Sequence, residues 1–411
     1  MTITAKRLHQ QQHDYVLLQS TQRCQQEPYF SSEGALYFAP IKLLAHHSVT
    51  AKLYRMRKCY VCKQPFNQVH FFYHTMCPSC AQHNYQRRSQ QCSLEGRIAL
   101  VTGGRIKIGF EIGLKLLRAG ATVHITTRFK YDAANRYAQQ TDYQQWCHRL
   151  FIHELDLRQL ASVEQFCCYL QHQLSHLDIV INNAAQTIKK PKSYFVAMAQ
   201  QEQQYALNQQ VPCLQGFKDM GWQQQQGLVA EQSLTTHFLK DEFNEPLDLS
   251  AKNSWHLRLH ECSTEELIET QVVNVMAPFL LNARLKTLLQ QSPKEQRFIV
   301  NVSAMEGQFN RENKTMRHPQ TNMAKAALNM MTRTAAMDYV QDQIFMTSVD
   351  TGWVTQEHAF AVRQSSRLNG MVPPLDCVDG AARVLAPIFD ALTGQQPLYG
   401  VFLKDYVVTD W

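Results

Sequence analysis

Two rhythms of apolar residues alternate along the chain from about residue 94 onward. Short, nearly continuous apolar runs such as 98–102 are typical of buried strands, whereas the segments between them place apolar residues at about every third or fourth position, as amphipathic helices do. This pattern predicts strands at 98–102, 123–127, 150–155, 178–182, 298–302, 345–349 and near 401. It predicts helices over 108–117, 133–148, 159–174, 264–290, 321–340 and 378–391. Such alternation favours an α/β fold, in which helices cover both faces of a doubly wound parallel sheet.

A long stretch interrupts this alternation after the strand at 178–182. We place an insertion at about 186–260, and its residues 200–226 include eleven glutamines in 27 positions. The insertion starts at the carboxyl end of a central strand, where folds of this class bind ligands. Two interpretations stay open: a polar surface insertion with some helix, and a lid over the ligand site.

The first 57 residues lack a clear pattern and are expected to form a loosely structured extension, with one helix around 41–55. The net charge of the whole chain is +7, and residues 1–97 hold twelve lysines and arginines against four acidic residues. The rest of the chain is therefore close to neutral. No apolar run reaches the roughly 18 residues of a membrane span, and no signal-peptide pattern opens the chain. We expect a cytoplasmic protein that does not span a membrane.

Four of the twelve cysteines form two CxxC pairs, Cys59/Cys62 and Cys77/Cys80. Two such pairs can complete a tetrahedral zinc site without an open coordination position, which is typical of structural zinc. A redox role is disfavoured because neither pair opens the helix of a βαβ unit. We therefore predict a small zinc-knuckle module over residues 58–93.

Basic and aromatic residues surround the two cysteine pairs. They are Arg55, Arg57, Lys58, Tyr60, Phe71, Phe72, Tyr73, Arg87 and Arg88. This mixture occurs both in zinc knuckles that dock proteins and in nucleic-acid-binding modules. We expect a protein or a nucleic-acid partner at this module and favour the protein.

A glycine-rich segment follows the strand at 98–102 and opens the next helix. It reads Thr102-Gly103-Gly104-Arg105-Ile106-Lys107-Ile108-Gly109 and is called the glycine loop below. In this position glycines let the backbone approach a pyrophosphate, and the helix N-terminus favours the anion. Further polar and small residues end the later strands, namely Asn182, Asn183, Ala184 and Ala185, then Ser303, with Lys325 one turn into the helix that follows.

Together these motifs resemble the short-chain dehydrogenase/reductase family over about residues 94–411. Asp156, Asn274 and the segment Thr351-Gly352-Trp353-Val354-Thr355 agree with the same family pattern. The resemblance implies a Rossmann-like domain that binds a nicotinamide dinucleotide. It implies cofactor contacts from Gly103, Arg105, Lys107, Ile108, Gly109, Asp156, Asn183, Ala184, Lys325 and Thr355. Among these, Asp156 would meet the adenine and Thr355 would hold the nicotinamide carboxamide.

The charge at the end of the second strand of this domain indicates the type of cofactor. Arg128 stands where the family reads the adenosine ribose. An acidic side chain there would bind a free 2′-hydroxyl, whereas arginine suits a 2′-phosphate. The sequence therefore favours NADP over NAD.

Two positions depart from the family pattern. Lys107 takes the place of the second glycine, where it either crowds the loop or contacts a phosphate directly. Thr321 takes the place of the tyrosine in the Tyr-x-x-x-Lys motif that ends at Lys325. A tyrosine has a reference pKa near 10 and can act as an acid beside an ammonium group, whereas an aliphatic hydroxyl is far too weak an acid. Substitute proton donors are sought among His318, Glu306, Tyr194 and Tyr205.

These observations favour an NADP(H)-dependent oxidoreductase with a non-standard proton relay and an unidentified small-molecule substrate. Ser303, Lys325, Asn274 and Thr321 are the candidate catalytic residues. The main alternative is a catalytically inactive NADP(H)-binding sensor or scaffold whose zinc module docks a partner. A third interpretation uses a tightly bound cofactor for non-redox chemistry. By resemblance, the helices near 264–290 and 321–340 are expected to pair subunits in a homo-oligomer.

Overall fold

The computed structural model describes residues 3–30, 36–37, 52–207, 216–219, 239–311 and 314–411. The chain forms two compact units, and each is assembled from segments that are distant in sequence. The first unit comprises residues 1–90, 239–251 and 353–380, and the second comprises residues 91–238, 252–352 and 381–411. The domain boundaries expected after residues 57 and 93 stay predictions.

The strands are β1 (Tyr29–Phe30), β2 (Leu36–Tyr37), β3 (Lys52–Lys58), β4 (Pro65–Gln68), β5 (Ile98–Thr102), β6 (Thr122–Thr127), β7 (Leu150–Glu154), β8 (Ile179–Asn182), β9 (Arg297–Ser303), β10 (Ile344–Asp350), β11 (Phe402–Lys404) and β12 (Val407–Thr409). The helices are α1 (Ile3–Gln19), α2 (Gln22–Gln26), α3 (Pro78–Arg88), α4 (Lys107–Arg118), α5 (Lys130–Ala138), α6 (Tyr143–Trp146), α7 (Leu160–Gln173), α8 (Lys192–Leu207), α9 (Thr264–Gln271), α10 (Ala277–Gln290), α11 (Pro319–Tyr339), α12 (Phe360–Leu368) and α13 (Cys377–Leu392).

An eight-stranded sheet forms the centre of the second unit. Its strand order is β12-β11-β10-β9-β8-β5-β6-β7, and every neighbouring pair runs parallel except β11 and β12. The chain leaves β5 through β6 and β7, then returns to the other side of β5 with β8. This reversal is the topological switch point, beyond whose carboxyl strand ends such sheets bind ligands. The predicted doubly wound, Rossmann-like α/β fold is confirmed.

Both faces of the sheet are buried, which explains the unbroken apolar runs in the sequence. In β5 the side chains of Ala99 and Val101 join one apolar cluster, whereas Leu100 joins the cluster on the other face. In β8 Ile179 and Val180 divide between the same two clusters. Successive side chains of a strand point to opposite faces, so a strand covered on both sides is apolar throughout.

The predicted strands and most predicted helices of this unit are confirmed within a few residues. The helix expected over 133–148 is wrong as a continuous element, because the structure has α5, α6 and a short 3₁₀ turn there. Asp142 separates α5 from α6, and its carboxylate accepts a 2.7 Å hydrogen bond from Nε of Arg118 on α4. The antiparallel strand β12 was not predicted.

The helical stretch from Thr264 to Gln290 contains a π-helical turn over Val272–Met276 between α9 and α10. In the described part of the chain this stretch alone is long and apolar enough to cross a membrane, with a mean hydropathy of 1.2 in an 18-residue window that is 50% buried. Leu281, Leu285 and Leu288 pack into the core of the sheet. Burial in a protein core accounts for the apolar character of this stretch.

The first unit includes α1, the two-stranded sheet of β3 and β4, and α3. Leu18, Leu53 and Val69 form its small apolar cluster. Of the helix expected over 41–55, residues 41–51 lie outside the described part, and from residue 52 onward the prediction is wrong because β3 begins there. This strand pairs with β4, and the Asp14 carboxylate accepts the backbone N–H groups of Tyr54 and Arg55.

Candidate active site

The glycine loop connects β5 to α4 at the switch point. Gly103 has φ +69°, and a Cβ atom there would lie 3.0 Å from Ala184. A Cβ on Gly109 would lie 2.1 Å from the carbonyl oxygen of Gly103. Asn183 Nδ2 donates to the carbonyl oxygens of Thr102 (3.0 Å) and Gly103 (3.3 Å). Only glycine fits at these two positions, and the close backbone approach suits a pyrophosphate at the N-terminus of α4.

Lys107 and Ile108 form the first turn of α4. Lys107 has φ +54°, a left-handed backbone conformation that glycine adopts without strain. The backbone at this position thus has a conformation that glycine tolerates better than lysine. Ile108 is partly buried against the core of the sheet.

Arg105 is buried and bonds to side chains of α5 and α8. Its Nη1 atom donates a 2.6 Å hydrogen bond to Asp132 on α5, and its Nη2 atom donates a 3.4 Å bond to the Tyr194 hydroxyl on α8. Arg136 also donates to Asp132, at 2.6 Å. Arg105 is therefore part of an ion-pair network rather than an isolated phosphate ligand.

Arg128 lies directly after β6, as predicted. Its guanidinium lies 5.7 Å from the ring centre of Phe129 and 5.2 Å from that of Phe195, in cation–π contacts. Burial lowers the pKa of Arg128, and the nearby Asp156 carboxylate opposes this shift. Asp156 itself is buried and pairs with Arg158 at 2.6 Å. The Arg128 guanidinium therefore lies at the end of β6. Asp156, which is predicted to contact the adenine, is paired with Arg158.

Three candidate catalytic residues meet where β9 ends and α11 begins. Lys325 Nζ donates a 2.8 Å hydrogen bond to the carbonyl oxygen of Val302, and burial lowers the pKa of this lysine to about 8. Thr321 lies one turn earlier on the same face of α11. The hydroxyl groups of Ser303 and Thr321 are buried and have no hydrogen-bond partner among the described residues. Buried polar groups are normally satisfied, so these unsatisfied hydroxyls indicate a site for a ligand.

Asn274 lies in the π-helical turn. Its Oδ1 atom accepts the backbone N–H of Gln186 at 2.6 Å, and its Nδ2 atom donates to the carbonyl oxygen of Gln186 at 3.0 Å. The side chain thus holds the segment that follows β8. The sequence contains no signal for this π turn, which is a feature often found at functional sites.

His318 precedes α11 in a left-handed conformation, with φ +42°. Its ring stacks on Trp255, with ring centres 4.1 Å apart, and burial lowers its pKa. Its Nδ1 atom is buried without a partner in the described part of the chain. By contrast, Glu306 lies 3.4 Å from Arg311 and Tyr194 contacts Arg105. Of these three candidate proton donors, His318 is therefore the one whose buried polar atom has no partner among the described residues.

Thr355 belongs to the first unit, unlike the other predicted cofactor residues. Its hydroxyl donates a 2.6 Å hydrogen bond to Glu357, and its carbonyl oxygen accepts the indole N–H of Trp353. Its predicted role toward the nicotinamide stays a prediction.

Glu202 on α8 is a residue that sequence reasoning missed. Its side chain is buried, and its carboxylate accepts the backbone N–H groups of Tyr131 (3.1 Å) and Asp132 (2.6 Å). It lies in the glutamine-rich insertion, where no periodicity marks a buried acid. Residues 208–215 and 220–238 of that insertion lie outside the described part.

The four predicted zinc ligands lie together in the first unit. Cys59 and Cys62 lie in the turn after β3, and Cys77 and Cys80 lie at the start of α3; their sulfur atoms all lie within 4.8 Å of one another. The Sγ atoms of Cys62 and Cys77 are 3.7 Å apart. Two thiolates bound tetrahedrally to zinc at about 2.3 Å are separated by a similar distance. The four-cysteine cluster fits a zinc ion.

Several of the basic and aromatic residues near this cluster are buried. Phe72 and Tyr73 are core residues, and the Tyr73 hydroxyl donates a 2.5 Å hydrogen bond to Asp379. Arg88 pairs with Asp376 at 2.7 Å and with Asp379 at 2.9 Å. By contrast, Arg55, Arg57 and Lys58 on β3 are exposed. The surface available to a partner is therefore smaller and more basic than the sequence suggested.

Comparison with known families identifies the fold of the second unit. Residues 97–229 match the family model described as short chain dehydrogenase, and residues 250–373 match the model described as Enoyl-(Acyl carrier protein) reductase. The chain belongs to the short-chain dehydrogenase/reductase family. The expected resemblance is confirmed, and the second unit has the oxidoreductase fold of that family.

The chain is 32% identical over 349 residues to an uncharacterized protein of Acanthamoeba polyphaga mimivirus, which covers 81% of this chain and 72% of the viral protein. It is 29% identical over 120 residues to 7alpha-hydroxysteroid dehydrogenase of Escherichia coli, covering 29% of this chain and 45% of that enzyme. A short chain dehydrogenase from Burkholderia cenocepacia, solved in complex with NADP, aligns with a TM-score of 0.49 and 17% identity over 75% of this chain and 96% of the other.

Proposed function

We propose that the protein is an NADP(H)-dependent oxidoreductase acting on a small carbonyl or alcohol, with a proton relay based on Lys325 instead of a tyrosine. The observation that carries this proposal is the buried Lys325 ammonium, bonded to the carbonyl oxygen of Val302, together with the buried hydroxyls of Ser303 and Thr321, which have no partner among the described residues. The glycine loop and Arg128 lie at the carboxyl edge of the same sheet. A dinucleotide site and an acid–base group thus belong to one unit.

The described residues fit the dinucleotide. Gly103 and Gly109 leave room for the pyrophosphate, and Asn183 holds the loop in shape. Arg128 offers a permanent positive charge to a 2′-phosphate, which supports NADP as the preferred cofactor. When bound, the nicotinamide supplies or accepts a hydride, and the protein must move the accompanying proton.

The Lys325 ammonium is the proton source in this proposal. Complete burial makes it easier to deprotonate than an exposed lysine, which suits acid–base work near neutral pH. Thr321 lies one turn away and does not act as the acid. Its hydroxyl gives its proton to the substrate oxygen as it takes one from the Lys325 ammonium, which is left as a neutral amine, while the Ser303 hydroxyl orients the substrate oxygen. Asn274 holds the neighbouring segment at Gln186 in place.

His318 is the second candidate for the acid–base group. A neutral imidazole, favoured by its lowered pKa, can accept a proton from an alcohol. Its buried Nδ1 atom without a described partner is the observation in favour. Replacing His318 with Gln and Lys325 with Met separately decides between them, because only the true acid–base group shifts the pH profile of turnover.

Titration calorimetry with NADPH and with NADH, followed by turnover measurements over a panel of carbonyls and alcohols, tests the proposal. We expect micromolar binding of NADPH, weaker binding of NADH, and hydride transfer to at least one substrate. Binding without any turnover would favour the sensor or scaffold, or the non-redox use of the cofactor. Failure to bind either dinucleotide would overturn the proposal.

We further propose that the four-cysteine cluster holds a structural zinc ion in a reducing, cytoplasmic compartment. None of the eleven cysteines in the described part of the chain forms a disulfide, as we expect in such a compartment. The exposed basic strand β3 is proposed as the docking surface for a protein partner. A nucleic acid is the competing partner, and a binding assay with random-sequence oligonucleotides distinguishes the two.

We also propose that a second copy of this chain covers an exposed apolar surface on α11 and the helix before it. Met323, Met330 and Met337 recur every seventh residue of α11 and are 54%, 54% and 60% exposed. Ile268 and Phe279 are similarly exposed on the neighbouring helical stretch. Contiguous exposed apolar residues of this kind mark protein interfaces.

A further inference from the structure

The N-terminus of α5 carries an internal anion. Glu202 of the insertion is only 5% exposed, and its two carboxylate oxygens accept the backbone N–H groups of Tyr131 and Asp132. These N–H groups belong to the first turn of α5, where the helix dipole and the free donors attract negative charge. The position that suits a phosphate is therefore already taken by a side chain of the same protein.

The helix that Glu202 contacts begins close to Arg128, on which the cofactor proposal depends. Arg128 directly follows β6, and α5 begins two residues later at Lys130. In sheets of this type a side chain at the end of the strand equivalent to β6 contacts the adenosine ribose and its 2′-substituent. Glu202 and a 2′-phosphate therefore require the same neighbourhood of backbone donors and arginine.

Three further contacts hold α8 against the adenosine side of the site. The Tyr194 hydroxyl accepts a hydrogen bond from Arg105 at 3.4 Å, and Phe195 lies 5.2 Å from the Arg128 guanidinium. Gln201 Nε2 donates to Asp132 at 2.7 Å. Both arginines among the predicted cofactor residues thus contact α8.

We propose that α8 is an internal gate of the cofactor site, in which Glu202 competes with the 2′-phosphate of NADP(H) for the N-terminus of α5. The gate rests on the proposed function, because it needs NADP(H) as the ligand. For the phosphate to bind, α8 moves away from α5 and releases Arg105 and Arg128. The insertion thereby decides when, and how tightly, the cofactor binds.

The charges around Glu202 make its contact reversible. Asp132 of α5 is close to Glu202 and carries a like charge. Arg105 of the glycine loop and Arg136 of α5 both donate hydrogen bonds to Asp132 and so offset its negative charge. Lys130 of α5 pairs with Glu154 of β7 at 3.7 Å. Burial is the largest cause that raises the pKa of Glu202 from 4.5 to about 7, and Asp132 adds to it, so the ionised carboxylate is held at a cost.

The direction of the pH effect follows from this shift. A group with a higher pKa in the closed contact than in solvent stabilises the closed form at low pH and loses that effect as the pH rises through about 7. Opening of α8 therefore becomes easier above neutral pH. NADPH affinity is expected to rise between pH 7 and 8.5, a range in which a phosphate monoester is already mostly doubly ionised.

The test compares NADPH affinity in the native protein, in Glu202→Ala and in the control Glu295→Ala. Alanine accepts neither of the two backbone N–H groups, so Glu202→Ala removes the closed contact in every protonation state. We expect NADPH to bind about tenfold more tightly to Glu202→Ala, with a flatter pH dependence because the titrating group is gone. Glu295 is exposed before β9, at the opposite edge of the sheet, and its variant should bind like the native protein.

Hydrogen exchange supplies a readout that does not depend on activity. Amides of residues 192–207 should exchange faster when NADPH is present, because α8 is displaced. Tyr194→Phe removes the hydrogen bond between α8 and Arg105 and should also tighten NADPH binding, by about threefold. This second variant tests the gate even if the Glu202 variant folds poorly.

The outcomes separate the gate from the proposed function. Equal or weaker NADPH binding in both Glu202→Ala and Tyr194→Phe, with slower exchange of α8 on binding, would overturn the gate and leave the oxidoreductase proposal intact. Binding to the variants but not to the native protein would support the gate strongly. Absence of NADPH binding in every variant would overturn the proposed function, and the gate with it.

Discussion

Lys325 Nζ donates its 2.8 Å hydrogen bond to the carbonyl oxygen of Val302, the residue directly before Ser303. This contact ties α11 to the carboxyl end of β9 and brings the family lysine beside the family serine although the tyrosine is absent. The serine and the lysine of the family pattern are therefore tied to adjoining backbone, and Lys325 is the acid that we propose in place of the tyrosine.

Replacing Lys325 with Met should lower turnover by roughly a hundredfold, because the proposed proton source is lost. In the native protein the rate of carbonyl reduction should be constant below about pH 8 and fall above it, since the ammonium must be protonated to act as an acid. The reverse oxidation should gain from the same rise in pH. Steady-state kinetics over a range of pH measures both.

Lys294→Met serves as the matched control, because Lys294 lies before β9 at the other edge of the sheet and contacts the backbone of Glu95. It should retain native kinetics. A Lys325→Met protein with native kcat and an unchanged pH profile would show that the relay runs through another group.

Replacing Lys107 with Gly should stabilise the protein by about 1 kcal/mol, because a lysine held at positive φ is strained and a glycine is not. Lys107→Ala removes the same ammonium but keeps the strain. Chemical denaturation of the two variants should therefore differ in the free energy of unfolding.

The same pair of variants decides whether Lys107 contacts a phosphate. If it does, Gly and Ala should weaken NADPH binding equally, by about tenfold. Unchanged affinity in both would mean that the lysine only crowds the loop.

Removing one thiol of the four-cysteine cluster should abolish zinc binding and lower the thermal stability of the first unit. Cys62→Ser is suitable because Cys62 is exposed and its replacement creates no cavity. Cys168→Ser, also at an exposed cysteine but on α7, is the control and should keep native zinc content. Metal analysis and thermal denaturation provide the readouts, and equal zinc in both variants would contradict the assignment.

Placing a charge on the exposed face of α11 should dissociate the proposed homo-oligomer. Met330→Lys introduces an ammonium at the centre of the methionine row, where burial against a second copy would be costly. Met371→Lys changes a methionine of equal exposure in the first unit and should leave the assembly unchanged. Sedimentation velocity distinguishes the two, and a native protein that sediments as a monomer would refute the proposal.

Much of the second unit could be predicted from local pattern. Its strands are buried on both faces, so continuous apolar runs mark them. The glycine loop is recognisable because nearby backbone leaves no room for a side chain at Gly103 and Gly109. The four-cysteine cluster could also be predicted, because two cysteines three positions apart are a common arrangement for binding one metal ion.

Side-chain contacts between distant segments could not be predicted in this way. The family resemblance implied that Arg105 contacts the cofactor, whereas in the structure Arg105 bonds to Asp132 and Tyr194. Tyr73 and Arg88 were grouped with the residues expected near a partner, although both contact the buried Asp379. Such pairings depend on which loops meet after folding, and no local periodicity encodes that meeting.

By itself, then, the sequence determined the parallel sheet, the glycine loop, the four-cysteine cluster and the absence of the family tyrosine, because each depends on residues near one another in the chain. Only the tertiary structure decided that Glu202 reaches the N-terminus of α5 and that His318 stacks on Trp255. These contacts join the insertion to segments many residues away. Their energies come from burial and charge that exist only once the chain has folded.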